Sequence, residues 1–130
     1  MSKSTIVLDG YTLTLEDINN FIENKDIVVE ISEKALETVR AARTQLEKWL
    51  KEDGKVIYGV TTGLGKLKDF MVGEEEQALF QKNTLYSHAV GIGPYFHNDI
   101  SRLAMLLRAN VLCRGNSGVR VELVERILMF

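Results

Sequence analysis

The chain has almost none of the residues that staple a small fold. One cysteine, Cys113, excludes an intrachain disulfide, and its apolar setting from Ala109 onward marks it as a buried thiol. Two histidines and that cysteine cannot close a zinc site without several carboxylates, and no metal-ligand spacing appears. There is no basic excess: 16 Lys and Arg face 18 Asp and Glu, mixed as on solvated helix surfaces, which argues against a nucleic-acid partner. No run approaches the roughly 20 apolar residues of a membrane span, so no membrane partner is expected. Met1 to Asp9 is too polar for a signal peptide, which makes the cytoplasm the expected compartment.

What is present suits one mainly α domain over 1–130. With 45% hydrophobic and 26% charged residues, a chain of 130 residues can bury a core of its own. Ile6 to Leu8 and Tyr11 to Leu13 flank Asp9-Gly10, a strong signal for a short N-terminal β-hairpin. Thr14 with Asp17 three residues on reads as a capping box for a first helix, with Leu15, Ile18, Phe21 and Ile22 inward. Asp26 to Ile31 is extended, and Ser32 caps a second helix carrying Leu36, Val39, Leu46 and Trp49-Leu50 at helical spacing, ended by Gly54.

A third helix spans about Glu74 to Ala89, with Ala78, Leu79, Lys82, Leu85 and Tyr86 at helical intervals. Acidic residues fill its first turn, and Gly91, Gly93 and the single proline, Pro94, stop it. Asn98 or Asp99 caps a fourth helix that Gly115 breaks, and a fifth begins near Ser117-Gly118. The segment is still apolar and periodic at Met129-Phe130, without the usual stop signals, so the expectation is a fragment of a helical bundle.

Three segments could carry chemistry. Gly59 to Lys66 first suggests a phosphate loop, but five residues separate Gly59 from Gly65 where a Walker loop has four, and Leu67 replaces the magnesium-binding hydroxyl. The dinucleotide glycine spacing is absent too. What remains is a glycine-rich loop led by Tyr58, for which a turn-rich connection is the simpler account. His88 at a helix end is by itself a partner for the helix dipole. Arg114 to Arg120 is by itself a turn between helices with Ser117 as cap.

Taken together, the order and separation of these segments resemble the histidine and aromatic amino acid ammonia-lyase family. The carriers are Tyr58-Gly59-Val60-Thr61-Thr62-Gly63-Leu64-Gly65, then Asn83 to Gly93 with Ser87-His88-Ala89 at its centre, then Arg114-Gly115-Asn116-Ser117-Gly118-Val119-Arg120. The opening Leu8 to Asp17 is similar as well, so the likeness covers nearly the whole chain.

The resemblance implies a helical, homotetrameric parent enzyme that eliminates ammonia from an amino acid without oxidation. L-Histidine would give urocanate. It implies that Tyr58 is the catalytic base at the β-carbon, that His88 and Gly65 are on the substrate side, and that Gly59, Thr61, Thr62, Gly63, Ser87 and Arg120 support the site. An ordinary phenol titrates near 10, so a phenolate acting at neutral pH needs about 4 kcal/mol of stabilisation, which backbone N–H groups of the glycine loop could supply.

Ser87-His88 resembles the histidine members, while some tyrosine aminomutases share the pair, and Thr61 stands where many histidine members have Asn. A tyrosine or phenylalanine lyase or aminomutase is therefore the alternative. The family's electrophile, a methylidene-imidazolone, forms from an internal Ala-Ser-Gly, and these 130 residues contain none. No cofactor is expected in this chain. The isolated piece is expected to be inactive, to expose apolar surface and self-associate, and to carry a mobile loop over Gly59 to Val72. A standalone, non-catalytic assembly module is the reading from another class.

Overall fold

A computed structural model describes residues 4–52 and 54–129; Phe130, at the apolar end of the chain, lies outside them. The elements run β1 (Thr5–Leu8), α1 (Leu15–Glu23), β2 (Val28–Ile31), α2 (Glu33–Leu50), α3 (Glu74–His88), α4 (Asn98–Leu112) and α5 (Val121–Met129), with a short 3₁₀ turn at Gly65–Leu67. The fold is mainly α, as expected. Its contacts divide it into two units: Met1–Glu47 with Phe96–Phe130, and Lys48–Tyr95.

The first unit holds the apolar core. Its two strands pair in parallel, with Thr5 opposite Val28 and Leu8 opposite Ile31, and α1 makes the crossover between them. Alternation along β1 sends Ile6 and Leu8 inward. They meet Phe21 of α1, Ile27, Ala35 and Val39 of α2, Leu106, Ala109 and Leu112 of α4, Cys113, and Val124 of α5. Cys113 is buried, and that burial, with the Asp9 carboxylate adding to it, pushes its thiol above the ordinary range.

The parallel pairing corrects the expected hairpin. The type I′ turn that Asp-Gly favours needs positive φ at both central positions, and here only Gly10 adopts it, at 88°. The Asp9 carboxylate instead accepts from the backbone N–H groups of Tyr11 and Thr12, both at 2.8 Å, which holds it below the usual carboxylate range. The Gly10 N–H donates to Asn110 Oδ1 at 3.0 Å, so the turn is tied to α4 rather than to a returning strand. A side chain at Gly10 would press on Arg114 at 2.6 Å. Tyr11 to Leu13 forms no strand.

The Thr14–Asp17 capping box is formed at α1, and Ser32 Oγ accepts from the Ala35 N–H at the start of α2. Leu15, expected inward, is exposed. The α4 cap is His97, whose Nδ1 accepts from the Asp99 N–H, not Asn98 or Asp99 themselves. The fifth helix begins at Val121 rather than near Ser117. Between α4 and α5, the Arg114 to Arg120 turn packs on α2. An added Cβ at Gly115 (φ 70°) would lie 2.5 Å from Thr38, and one at Gly118 (φ 61°) would lie 2.9 Å from Leu46. Those two glycines therefore bring a turn backbone against a helix, where any other residue would collide.

Leu106 is among the largest wholly buried side chains and sits at the centre of this core. Leu106→Ala should cost about 2–5 kcal/mol in urea denaturation, whereas Leu15→Ala should stay within about 0.5 kcal/mol. Equal costs would contradict this assignment of the core.

Candidate active-site loop

In the second unit, Lys48–Tyr95, no large apolar side chain among the described residues is buried; its buried side chains are two threonines, Thr61 and Thr62. Order in this unit therefore depends on hydrogen bonds more than on an apolar core. The chain passes Lys55 and Ile57, turns at Tyr58-Gly59 with Gly59 at φ 71°, and closes on itself. The N–H groups of Val60 and Thr61 both donate to Ile57 O, at 3.0 and 2.9 Å. Gly63 N–H donates to Phe70 O, Val72 N–H donates to Thr61 O, and Thr62 bridges Met71. The loop expected to be mobile over Gly59 to Val72 is thus laced by its own backbone.

The threonine hydroxyls complete the lacing. Thr61 Oγ1 accepts from Ile57 N–H and donates to Lys55 O, each at 2.8 Å. Thr62 Oγ1 accepts from Gly59 N–H at 3.3 Å and donates to Gly63 O at 3.0 Å. At the mouth of the loop, the Tyr58 phenol oxygen accepts from Gly65 N–H at 3.2 Å. The Tyr58 side chain is 63% exposed, so a ligand can reach the phenol that this donor holds. Gly65 has φ 56° with open space where a Cβ would stand.

His88 ends α3 and is exposed. Its Nδ1 lies 2.8 Å from Thr84 O, and Ser87 Oγ donates to the same carbonyl while sitting 3.0 Å from Nδ1. A carbonyl only accepts, so in the neutral ring Nδ1 carries the proton and Nε2 is left as an acceptor. Gln81, one turn earlier than Thr84 and Leu85, reaches Gly59 O at 3.5 Å, the long end of a hydrogen bond. Seven residues bring an α-helix back to nearly the same face about 10 Å along, so His88 shares the face that Gln81 turns to the loop. No hydrogen bond among the described residues joins Tyr58 to His88 directly.

The expected residues therefore separate by unit. Tyr58, Gly59, Thr61, Thr62, Gly63, Gly65, Ser87 and His88 all belong to Lys48–Tyr95. Arg120 belongs to the other unit, just before α5, where its carbonyl accepts from Leu123 N–H and its side chain is exposed. Sequence reasoning passed over Gln81 and Thr84. Their signal is spacing: Gln81 stands seven residues before His88 and Thr84 four before it, both on the histidine's side of the helix.

No group of His, Cys, Asp and Glu among the described residues could hold a metal ion, and no helix among them is long and apolar enough to cross a membrane. Gly63 offers a direct check of the loop. Its φ is ordinary, but a Cβ there would meet Leu67 at 2.6 Å, whereas at Gly65 it would meet nothing. Gly63→Ala should speed amide exchange of Val72 at least tenfold, and Gly65→Ala, strained only through its own left-handed φ, should have a distinctly smaller effect on Val72. The reverse order would contradict the described loop.

The same chain matches the family of aromatic amino acid lyases over residues 13–130. Histidine ammonia-lyase of Shouchella clausii (strain KSM-K16) is 39% identical over 123 residues, covering 95% of this chain and 24% of that protein. The crystal structure of histidine ammonia-lyase from Trypanosoma cruzi superposes with a TM-score of 0.82 at 31% identity, covering 95% of this chain and 23% of that one. Tyrosine aminomutase from Streptomyces globisporus superposes with a TM-score of 0.84 at 30% identity, covering 96% and 23%. The chain thus spans about a quarter of the length of the relatives it matches. With a tyrosine-led glycine loop, a serine–histidine helix end and a family match over nearly its whole length, this chain belongs to the aromatic amino acid lyase family.

Proposed function

We propose that this chain forms the base side of the active site of a histidine ammonia-lyase, which eliminates ammonia from L-histidine without oxidation to give urocanate. The observation that carries the reading is the Gly65 N–H on the Tyr58 phenol oxygen. A base that removes the β-proton must carry negative charge on that oxygen, and a backbone donor fixed in a closed loop stabilises such charge without having to reorganise. Exposure of the ring leaves the oxygen open to substrate.

In this reading His88 holds the substrate side chain. Its Nε2, left as an acceptor, suits an imidazole N–H. The phenol O–H of tyrosine would satisfy the same acceptor, and the likeness to a tyrosine aminomutase favours that as the second reading. A phenylalanine ring offers no donor. Thr61, Thr62, Gly59 and Gly63 shape the loop, and Ser87 shares the Thr84 carbonyl with His88. Arg120 has a supporting role through the turn that leads into α5.

The parent's electrophile, a methylidene-imidazolone, would make the amine a leaving group. Its Ala-Ser-Gly precursor is not among these 130 residues, so they would face that group rather than hold it. The isolated chain is accordingly inactive in this account. Exposed Leu79, Leu85, Tyr86, Ile92, Tyr95 and Phe96 support assembly with further copies, the parent being a cytoplasmic homotetramer.

The test follows urocanate absorbance with histidine as substrate. The 130-residue chain should show no turnover. A complete enzyme carrying this sequence should turn over, and Tyr58→Phe in it should lower kcat by about 10²–10⁴. Turnover by the chain alone, or an undiminished phenylalanine variant, would overturn the reading, and preference for tyrosine over histidine would install the second one.

A further inference from the structure

We propose that Thr61 is a positioning residue for Tyr58, acting through its hydroxyl on the backbone immediately before the tyrosine. The proposal rests on the reading of Tyr58 as the base. Thr61 Oγ1 spans the two sides of Ile57: it takes the Ile57 N–H at 2.8 Å and gives its own proton to Lys55 O at 2.8 Å. The Thr61 backbone N–H returns to Ile57 O at 2.9 Å. Ile57 is thereby held at both its N–H and its carbonyl by one residue, and Tyr58 is the next residue along.

Thr61 is buried, and no large apolar side chain among the described residues of its unit is, so removing the hydroxyl leaves the Ile57 N–H and the Lys55 carbonyl without that partner. Thr62 closes the other side, taking Gly59 N–H, but its bond is longer at 3.3 Å and falls after the tyrosine. What Thr61 secures is the direction in which the Tyr58 side chain leaves the backbone. The phenol oxygen must travel from there to the Gly65 N–H, seven residues later in sequence. A small rotation at Ile57 is magnified along the length of the tyrosine side chain, so a bond to the peptide before it controls a contact at the far end of its ring.

This assigns the hydroxyl, not the bulk, of residue 61. Thr61→Val keeps the β-branched shape and removes both hydroxyl bonds. Thr61→Ser keeps the hydroxyl and loses a methyl. The backbone closures from Val60, Thr61 and Val72 are open to all three side chains.

The experiment is amide hydrogen exchange by NMR on the 130-residue chain, which needs no turnover and so does not depend on whether the parent is a lyase. Tyr58→Phe first identifies the Gly65 protection that comes from the phenol. Thr61→Val should then lower Gly65 protection roughly tenfold, toward the Tyr58→Phe value, while the Gly63 and Val72 amides and the core amide of Leu106 stay within about twofold of wild type. Thr61→Ser should keep Gly65 at its wild-type protection.

Loss at Gly63, Val72 and Gly65 alike in Thr61→Val would show a general loop strut and overturn the proposal. Unchanged Gly65 exchange in Thr61→Val, or in Tyr58→Phe, would overturn it as well. Should the valine variant fail to fold, the serine variant decides: wild-type Gly65 protection supports the hydroxyl's role, and lost protection refutes it. A complete enzyme inactive on every amino acid tried, with these exchange results intact, would remove the catalytic reading and leave the positioning of Tyr58 standing.

Discussion

The contact on which the functional account depends is a single backbone N–H, that of Gly65, directed at the oxygen of Tyr58. A connecting loop can be held by apolar side chains beneath it or by hydrogen bonds within it. This one has two buried hydroxyls, and every polar atom they present is used: Thr61 on Ile57 and Lys55, Thr62 on Gly59 and Gly63. Hydrogen bonds are directional where apolar contacts are not, so a loop held this way trades depth of stability for a defined backbone path. The path ends with a backbone donor at the Tyr58 phenol oxygen, where it would also stabilise negative charge if the proposed base role holds.

The rest of the molecule supplies a different kind of order. β1, β2 and the faces of α1, α2, α4 and α5 bury an apolar core, and the turn carrying Gly115 and Gly118 is drawn against α2 so closely that side chains there would collide with Thr38 and Leu46. The arginine-flanked segment, which in sequence looked like a possible part of the pocket, has in this unit a clear packing reason for its glycines. Arg114 stacks its guanidinium 4.8 Å from the ring centre of Tyr11, which ties the same turn to the residues after β1. A family motif can thus be written by packing at some positions and by chemistry at others.

Local signals were the ones legible in the sequence. Thr14 with Asp17 announces a helix start because the two bonds of a capping box lie within four residues, and they form as expected. The three family segments were legible because side-chain identity, not geometry, defines them. Pairing between distant segments was not: Asp9-Gly10 carries the composition of a hairpin turn, yet β1 pairs with β2 and the Gly10 N–H is taken by Asn110, a hundred residues away. Periodicity misled at Leu15, exposed at the first position of its helix; in α3 it found the helix, whose Leu79, Leu85 and Tyr86 lie exposed. A helix pattern states that a face is to be covered without stating by what. The Thr61 hydroxyl and the His88 tautomer were beyond reach too, since both depend on where particular carbonyls point.

The central claim is that Tyr58 and His88 are two walls of one substrate pocket. The common face of Gln81 and His88 on α3, with Gln81 reaching Gly59, supports it within a single unit. The most direct measurement is an experimental structure of the complete, assembled protein with urocanate bound. The account predicts the product's imidazole against His88 Nε2 and its side-chain carbons beside the Tyr58 oxygen, with Gly65 N–H still on that oxygen. Tyr58 and His88 opening onto separate surfaces, with urocanate touching neither, would contradict it.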